Sequence, residues 1–216
     1  MNDDKIIQPF EESAQEYDAW FDRNPLAYES EILALKKFLA PQVRGLEIGV
    51  GTGRFAVPLG IKIGVEPAKG MADMARQRGI RVIRAVGEFL PFRSASFHLA
   101  LLVTTLCFLR DPQRALAETT RILQPGGQIL IGMIDRDSPL GRYYEAHKQE
   151  SKFYRQANFL SIGQVLEWLA RLNYRQVEVC QTLFRDLSDI THLEPVRAGH
   201  GEGGFVVITA QNHKVA

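Results

Sequence analysis

Apolar positions along the chain follow two regimes. Over residues 11–22 and 26–40 they recur at helical spacing, with Tyr17, Trp20 and Phe21 in the first stretch and Ile32, Leu35, Phe38 and Leu39 in the second. Asn24 and Pro25 break the pattern between them. From Val43 onward short apolar runs alternate with helical stretches, the pattern of βαβ units around a parallel sheet. Strands are expected at about 43–48, 61–66, 80–85, 97–103 and 128–134, and helices at about 53–59, 68–78 and 111–124, with Gly79 and Pro125-Gly126-Gly127 at helix ends. Seven residues, Arg54 to Gly60, separate Gly53 from the apolar start of the next strand at Ile61, so the first crossover helix is expected to have about two turns. A polar and aromatic segment, 135–160, carries Tyr143, Tyr144, His147, Phe153 and Tyr154. A helix near 161–172 then starts at Ser161, and β-rich runs at 174–184 and 204–210 close the chain around a loop rich in Gly, His and Pro.

Composition narrows the function classes. A chain of 216 residues, 45% apolar and 24% charged, fits one soluble domain. Within it, 1–40 forms amino-terminal helices, 41–134 a ligand-binding half, 135–160 an insertion and 161–216 a closing helix and hairpin. The longest apolar stretch, Phe97 to Leu109, is interrupted by His98, Thr104 and Thr105 and falls short of the roughly 20 residues of a membrane span. The start, Asn2-Asp3-Asp4-Lys5, does not read as a secretory signal, so a cytoplasmic protein is expected. Cys107 and Cys180 lack the spacing of a disulfide framework or zinc site, and no metal is expected. With a net charge of +1 and no long basic run, neither nucleic acid nor a membrane surface is an expected partner. Oligomeric state stays open.

The segment 45–55, GLEIGVGTGRF, places an acid at Glu47 and glycines at 49, 51 and 53 where a strand enters a helix. Such a turn serves either a ligand lying on the backbone or a tight structural bend. Arg54 stands where a dinucleotide fingerprint needs its third glycine, and no Lys-Ser or Lys-Thr follows as in a Walker loop. In IGVEPAKGM, 63–71, Glu66 ends the second strand, where a carboxylate accepts the hydroxyl hydrogens of a ribose or, alternatively, serves the next helix as a first-turn acid. A nucleoside without phosphates fits this pair of features.

Together with GEFLPFRSASF at 87–97 and ILQPGG at 122–127, these motifs resemble class I S-adenosylmethionine-dependent methyltransferases, in the broad set that includes ubiquinone and menaquinone biosynthesis enzymes. The resemblance spans roughly 43–134. It implies an α/β, Rossmann-like three-layer sandwich whose mostly parallel seven-stranded sheet has the order 3-2-1-4-5-7-6, strand 7 antiparallel, beneath an amino-terminal helical lid. It also implies S-adenosylmethionine as cofactor, with Glu47, Gly49, Gly51 and Gly53 at its methionine part and Glu66 at its ribose. Pro67, Glu88, Phe89, Thr104 and Tyr17 complete the expected cofactor set. Val86 replaces the acid usual for adenine, which leaves the backbone near Glu88 and Phe89, or Glu88 itself. His98 replaces another family acid and is expected to be structural.

Methyl transfer is an in-line displacement that depends mainly on alignment, with a base useful where the acceptor must lose a proton. Substrate-side candidates are Thr105, Asp135, Tyr144, His192 and Arg197. If the sixth strand ends near Phe184 and an antiparallel seventh begins near Gly204, the loop between them overhangs the pocket, which makes His200, between two glycines, the candidate base. Trp20 is expected in the core and Cys107 as a buried thiol. The acceptor is expected to be a small molecule. The competing readings are a non-catalytic S-adenosylmethionine-binding protein and an NAD(P)-dependent oxidoreductase.

Overall fold

Where two amino-terminal helices were expected, three form in the computed structural model, which describes residues 3–39 and 44–213: α1 (Asp3–Glu12), α2 (Ala14–Arg23) and α3 (Pro25–Lys36). Ser13 separates the first two, and Asn24 with Pro25 at the first helical position separates the next two. The expected strand start at Val43 and helix end at Ala40 lie outside the described residues. The remaining elements are β1 (Gly45–Ile48), β2 (Ile63–Val65), α4 (Lys69–Gln77), β3 (Arg81–Ile83), β4 (Phe97–Val103), α5 (Pro112–Ile122), β5 (Leu123–Ile134), α6 (Pro139–His147), α7 (Ile162–Arg171), β6 (Tyr174–Thr182), β7 (Arg197–Ala198) and β8 (Phe205–Asn212).

The helix expected over 53–59 does not form. Residues 51–60 make a series of turns, in which Gly53 O accepts from Val57 N at 3.1 Å. Pro58 supplies the reason: it has no N–H to donate to the Arg54 carbonyl four residues back. That carbonyl accepts instead from the Tyr28 hydroxyl of α3. The glycine loop is thereby fastened to the amino-terminal helices. The Pro125-Gly126-Gly127 motif also behaves differently, lying inside β5, where the pairing with β4 jumps from Phe97↔Leu123 to Leu99↔Gln128.

The sheet order is β3-β2-β1-β4-β5-β8-β6-β7, with β1 to β5 mutually parallel and β8 antiparallel to both β5 and β6. This is the expected order plus a two-residue edge strand, β7, which pairs with β6 and is too short and too exposed to leave a hydrophobic period. Alternation along β4 divides the core. Leu99, Leu101 and Val103 pack with Phe21, Leu35 and Ala72 on one face, while Ala100 and Leu102 pack with Leu116, Val165 and Leu169 on the other. All of these side chains are buried, and each large one contributes about 1.5–3 kcal/mol by leaving water. Ser161 and Gln164 form the capping box that starts α7.

One polar cluster ties the helices to the sheet edge. Asp18 of α2 is 6% exposed. Its Oδ1 accepts from Thr52 Oγ1 at 2.6 Å and Arg54 Nε at 3.0 Å, and its Oδ2 from Arg54 at 2.6 Å and Arg78 at 2.7 Å. Burial by itself would raise the Asp18 carboxyl, but the hydrogen bonds from Arg54, Arg78 and Thr52 outweigh it and hold the group well below the usual range. Asp18→Ala leaves Arg54 to Asp22 and Arg78 to the Thr52 carbonyl, and the lost charge-assisted hydrogen bonds are expected to cost about 1.5–3 kcal/mol, read from the midpoint and slope of urea unfolding. A loss below about 1 kcal/mol is the exposed-pair value and would mean that solvent replaces the cluster without penalty.

Candidate active site

Two cavities open along the carboxyl edge of the sheet. The first, about 350 Å³, lies over the ends of β1, β2 and β4 and is roofed by Ile6, Ile7 and Phe10 of α1. Its floor is the glycine loop. Gly49 has φ +71° and no room for a side chain, since a Cβ would sit 2.5 Å from both Oγ1 and Cγ2 of Thr105. Gly51 has φ +54° and would meet nothing within 4 Å, so its backbone faces open space. Glu66, 7% exposed, lines the same cavity, with Oε2 accepting from Gly51 N at 2.9 Å and Oε1 from Ala68 N at 2.9 Å. Burial pushes its carboxyl up to about 7 against the opposing pull of those two amides. Glu66 therefore braces the glycine loop and the start of α4 while lining the cavity.

The second cavity, about 330 Å³, lies beneath α2 and α3 and beside α6 and the 148–160 segment. Aromatic rings dominate its wall, from Tyr17, Trp20 and Phe21 to Phe55, Tyr144, Phe153 and Tyr154. Tyr17 and Thr104 line both cavities and so form the partition between them. Burial raises the Tyr17 pKa above the ordinary phenol value, against a smaller opposing pull from the neighbouring Thr104 side chain. Thr104 has φ +48°, a left-handed conformation that costs a β-branched residue about 1–3 kcal/mol. Its N–H donates to Gly132 O at 2.8 Å, which holds it there at the end of β4.

A methyltransferase-domain family model matches residues 46–131, the glycine loop through β5. An uncharacterised protein of Methanocaldococcus jannaschii is 51% identical over 202 residues, covering 94% of this chain and 98% of its own. A Thermotoga maritima structure described as a SAM-dependent methyltransferase, possible histamine N-methyltransferase, superposes with a TM-score of 0.92 at 47% identity, covering 96% of this chain and 99% of that one. The chain belongs to the class I S-adenosylmethionine-dependent methyltransferases. A Haemonchus contortus N-methyltransferase in complex with S-adenosylhomocysteine shares the fold, with a TM-score of 0.62 at 17% identity over 85% of this chain and 52% of that one. The methyltransferase uses S-adenosylmethionine, and none of its described helices is long and apolar enough to cross a membrane.

The structure gathers Tyr17, Gly49, Gly51, Glu66, Pro67, Glu88, Phe89, Thr104 and Thr105 at the first cavity. Thr105, expected on the acceptor side, lines only this cavity, and its hydroxyl donates to backbone oxygens of Ile48 and Val103. Gly53 sits back against Ala75. Glu88 is buried, with Oε1 accepting from Arg110 N and Asp111 N, while Phe89 is 62% exposed beneath the Arg114 guanidinium. Glu47 lies beneath the loop, outside the cavity lining. Its pKa is raised well above the ordinary value by burial and then by the Glu66 charge, and its Oε2 is fully enclosed with no hydrogen-bond partner among the described residues.

Of the acceptor-side candidates, Tyr144 reaches the second cavity. Asp135 does not, because its Oδ1 accepts from Asp137 N and Ile162 N, both at 3.2 Å, and so ties the turn after β5 to the start of α7. His192, Arg197 and His200 are exposed and line neither cavity. The loop that carries them folds along β6 through the β7 pairing, with Glu194 buried and its Oε2 accepting from Phe184 N at 2.9 Å. It contributes Leu183 and Leu187 to the second cavity instead. His98 is exposed on the far side of β4's start. Sequence reasoning missed the α1 roof, although Ile6, Ile7 and Phe10 recur at helical spacing. It also missed Glu31, an acid within the buried stripe of α3 formed by Ala27, Ala34 and Leu35, where a charge needs an explanation. Trp20 packs against the core beside Phe21 as expected and also stands in the second cavity's wall.

Two measurements follow. Glu66→Gln is expected to weaken S-adenosylhomocysteine binding by about 1.5–3 kcal/mol in calorimetry, the range for hydrogen bonds to a charged group. Unchanged affinity with lowered thermal stability would reduce Glu66 to a loop brace. Stability against pH should show two opposing limbs. The depressed Asp18 carboxyl contributes stability that is present above about pH 4 and lost as pH falls below it. Glu31 and Glu66, raised by burial to about 8 and about 7, contribute stability that is full below the unfolded value near 4.5 and lost as pH rises through 7 to 8. Thermal melts of the ligand-free protein should lose part of the acid limb in Asp18→Asn and part of the alkaline limb in Glu31→Gln.

Proposed function

We propose that the enzyme holds S-adenosylmethionine in the first cavity and methylates a small molecule held in the second, across the partition of Tyr17 and Thr104. That shared wall is the observation that carries the reading. The cofactor, when bound, supplies a methyl carbon activated by a sulfonium. The chain's own residues supply alignment and exclusion of water, the main requirements of an in-line displacement.

The donor set of the first cavity fits this ligand. Glu66 retains a lone pair on each oxygen beyond those taken by Gly51 and Ala68, suited to two ribose hydroxyls. Glu47, beneath the loop and outside the cavity lining, would serve the amino group of the methionine part from behind the loop, where its unpartnered Oε2 gains from a nearby positive charge. The backbone of Gly51 lies bare for close approach. Val86 and Gly87 line the adenine end, where backbone groups and the Phe89 ring stand in for the missing acid. For the acceptor, a cavity of about 330 Å³ limits the substrate to a small molecule, and the description of the Thermotoga maritima relative supports the same size class. We also propose a cytoplasmic location, on which Cys107 and Cys180 would persist as the free thiols they are here.

Filling the second cavity tests the reading. Ser151 lines it from the 148–160 segment and is half-buried. Ser151→Trp should abolish transfer of tritiated methyl to small acceptors, at least tenfold, while S-adenosylhomocysteine affinity stays within about twofold, less than ~0.5 kcal/mol. Wild-type transfer in this variant would remove the second cavity from the reaction.

A further inference from the structure

Among the groups lining the second cavity, Glu31 stands out. It is 5% exposed, and among the described residues no donor hydrogen-bonds its carboxylate and no cation pairs with it. A buried acid left in that condition is costly, and packing against Ala27 and Leu35 would be met by an apolar side chain. Its surroundings are neutral: the hydroxyls of Tyr17, Tyr28, Tyr144 and Tyr154 are all kept protonated by burial. The cavity's cations, Arg23 and Lys152, are at exposed positions, and Lys152 Nζ already bonds Glu16 Oε2 at 2.7 Å across the mouth. The buried wall thus offers aromatic faces and one carboxyl group, and no buried cation to receive an anion.

We propose that the methyl acceptor is a small amine on an aromatic or apolar body, and that Glu31 receives its amino group. The inference rests on the assignment of the second cavity to the acceptor. Aromatic faces favour an ammonium, and the carboxylate gives it a counter-ion in a site of low dielectric. Burial pushes the Glu31 carboxyl up to about 8, so in the empty cavity at neutral pH it holds a proton. Entry of an ammonium displaces that proton to solvent and leaves an ammonium–carboxylate pair. Passage of one proton from nitrogen to Glu31 then leaves a neutral amine with its lone pair free and a carboxylic acid beside it, with the charge of the pair unchanged. Glu31 is thus both the selector of the acceptor and the group that frees its nitrogen.

The test uses the full chain in a Trp168→Phe background, where Trp20 in the cavity wall becomes the sole tryptophan. 2-Phenylethylamine, tyramine and histamine are titrated beside 2-phenylethanol and 3-phenylpropionate, with Trp20 fluorescence reporting cavity binding. Calorimetry at pH 7 in buffers of different ionisation enthalpy counts protons. At least one amine should bind tenfold or more tighter than the alcohol and the acid, with close to one proton released. Glu31→Gln should weaken that amine at least tenfold, about 1.4 kcal/mol, and abolish proton release, while S-adenosylhomocysteine affinity stays within twofold. Glu31→Asp should restore part of both. Equal binding of amine and alcohol, full amine affinity in Glu31→Gln, or absence of amine binding overturns the inference. If the alcohol or acid binds and the amines do not, the acceptor cavity stands without its amine. Wild-type transfer in Ser151→Trp instead overturns the cavity assignment itself.

Discussion

The buried Asp18 carboxylate sets the geometry on which both cavities depend. It sits on the helix before the sheet begins, yet its partners are Thr52 and Arg54 in the glycine loop and Arg78 at the end of α4. A carboxylate at 6% exposure is tolerable only because hydrogen bonds from both guanidinium groups and a hydroxyl satisfy it. Its immediate neighbour is Tyr17. Fixing Asp18 therefore fixes the ring that divides the two cavities. Arg54 acquires a meaning here that goes beyond the absence of a dinucleotide glycine: the position that would let a helix pack beside a diphosphate holds α2 through Asp18.

The loop itself is held on two more sides. Pro58 removes the donor that would have continued a helix, and the freed Arg54 carbonyl turns to Tyr28. Glu66 takes the Gly51 and Ala68 amides. The roof has its own fastening, because the Glu11 carboxylate accepts from Lys69 N at the start of α4. Ser13 marks the break between α1, which carries the roof, and α2, which carries Asp18.

The acids of this enzyme separate by partner rather than by type. Asp18 has two guanidinium groups and remains ionised. Glu66 has two neutral amides, while among the described residues Glu47 leaves Oε2 without a partner and Glu31 has none, and burial raises all three. The first is built for the fold. The other three leave valences that a ligand can fill, and this is the pattern by which a binding site is distinguished from a structural ion pair.

The sequence by itself determined the alternation of strands and helices over 43–134 and the glycine loop followed by Glu66, because these depend on local period, turn chemistry and short spacing, whereas the sheet order and the cofactor came from the family resemblance that those motifs carry together. It also determined the start of α7 at Ser161, whose capping box spans four residues. Only the tertiary structure decided what lies above the sheet edge. Glu31 is an acid in an apolar stripe until α3 is packed over Tyr144 and Tyr154, more than a hundred residues away in sequence. His200 is a plausible base until β7 pairs with β6 and turns its loop outward. Asp135 is a pocket acid until two backbone amides claim it. In each case the residue type was legible, while its direction was set by long-range pairing and packing, which leave no period in the chain.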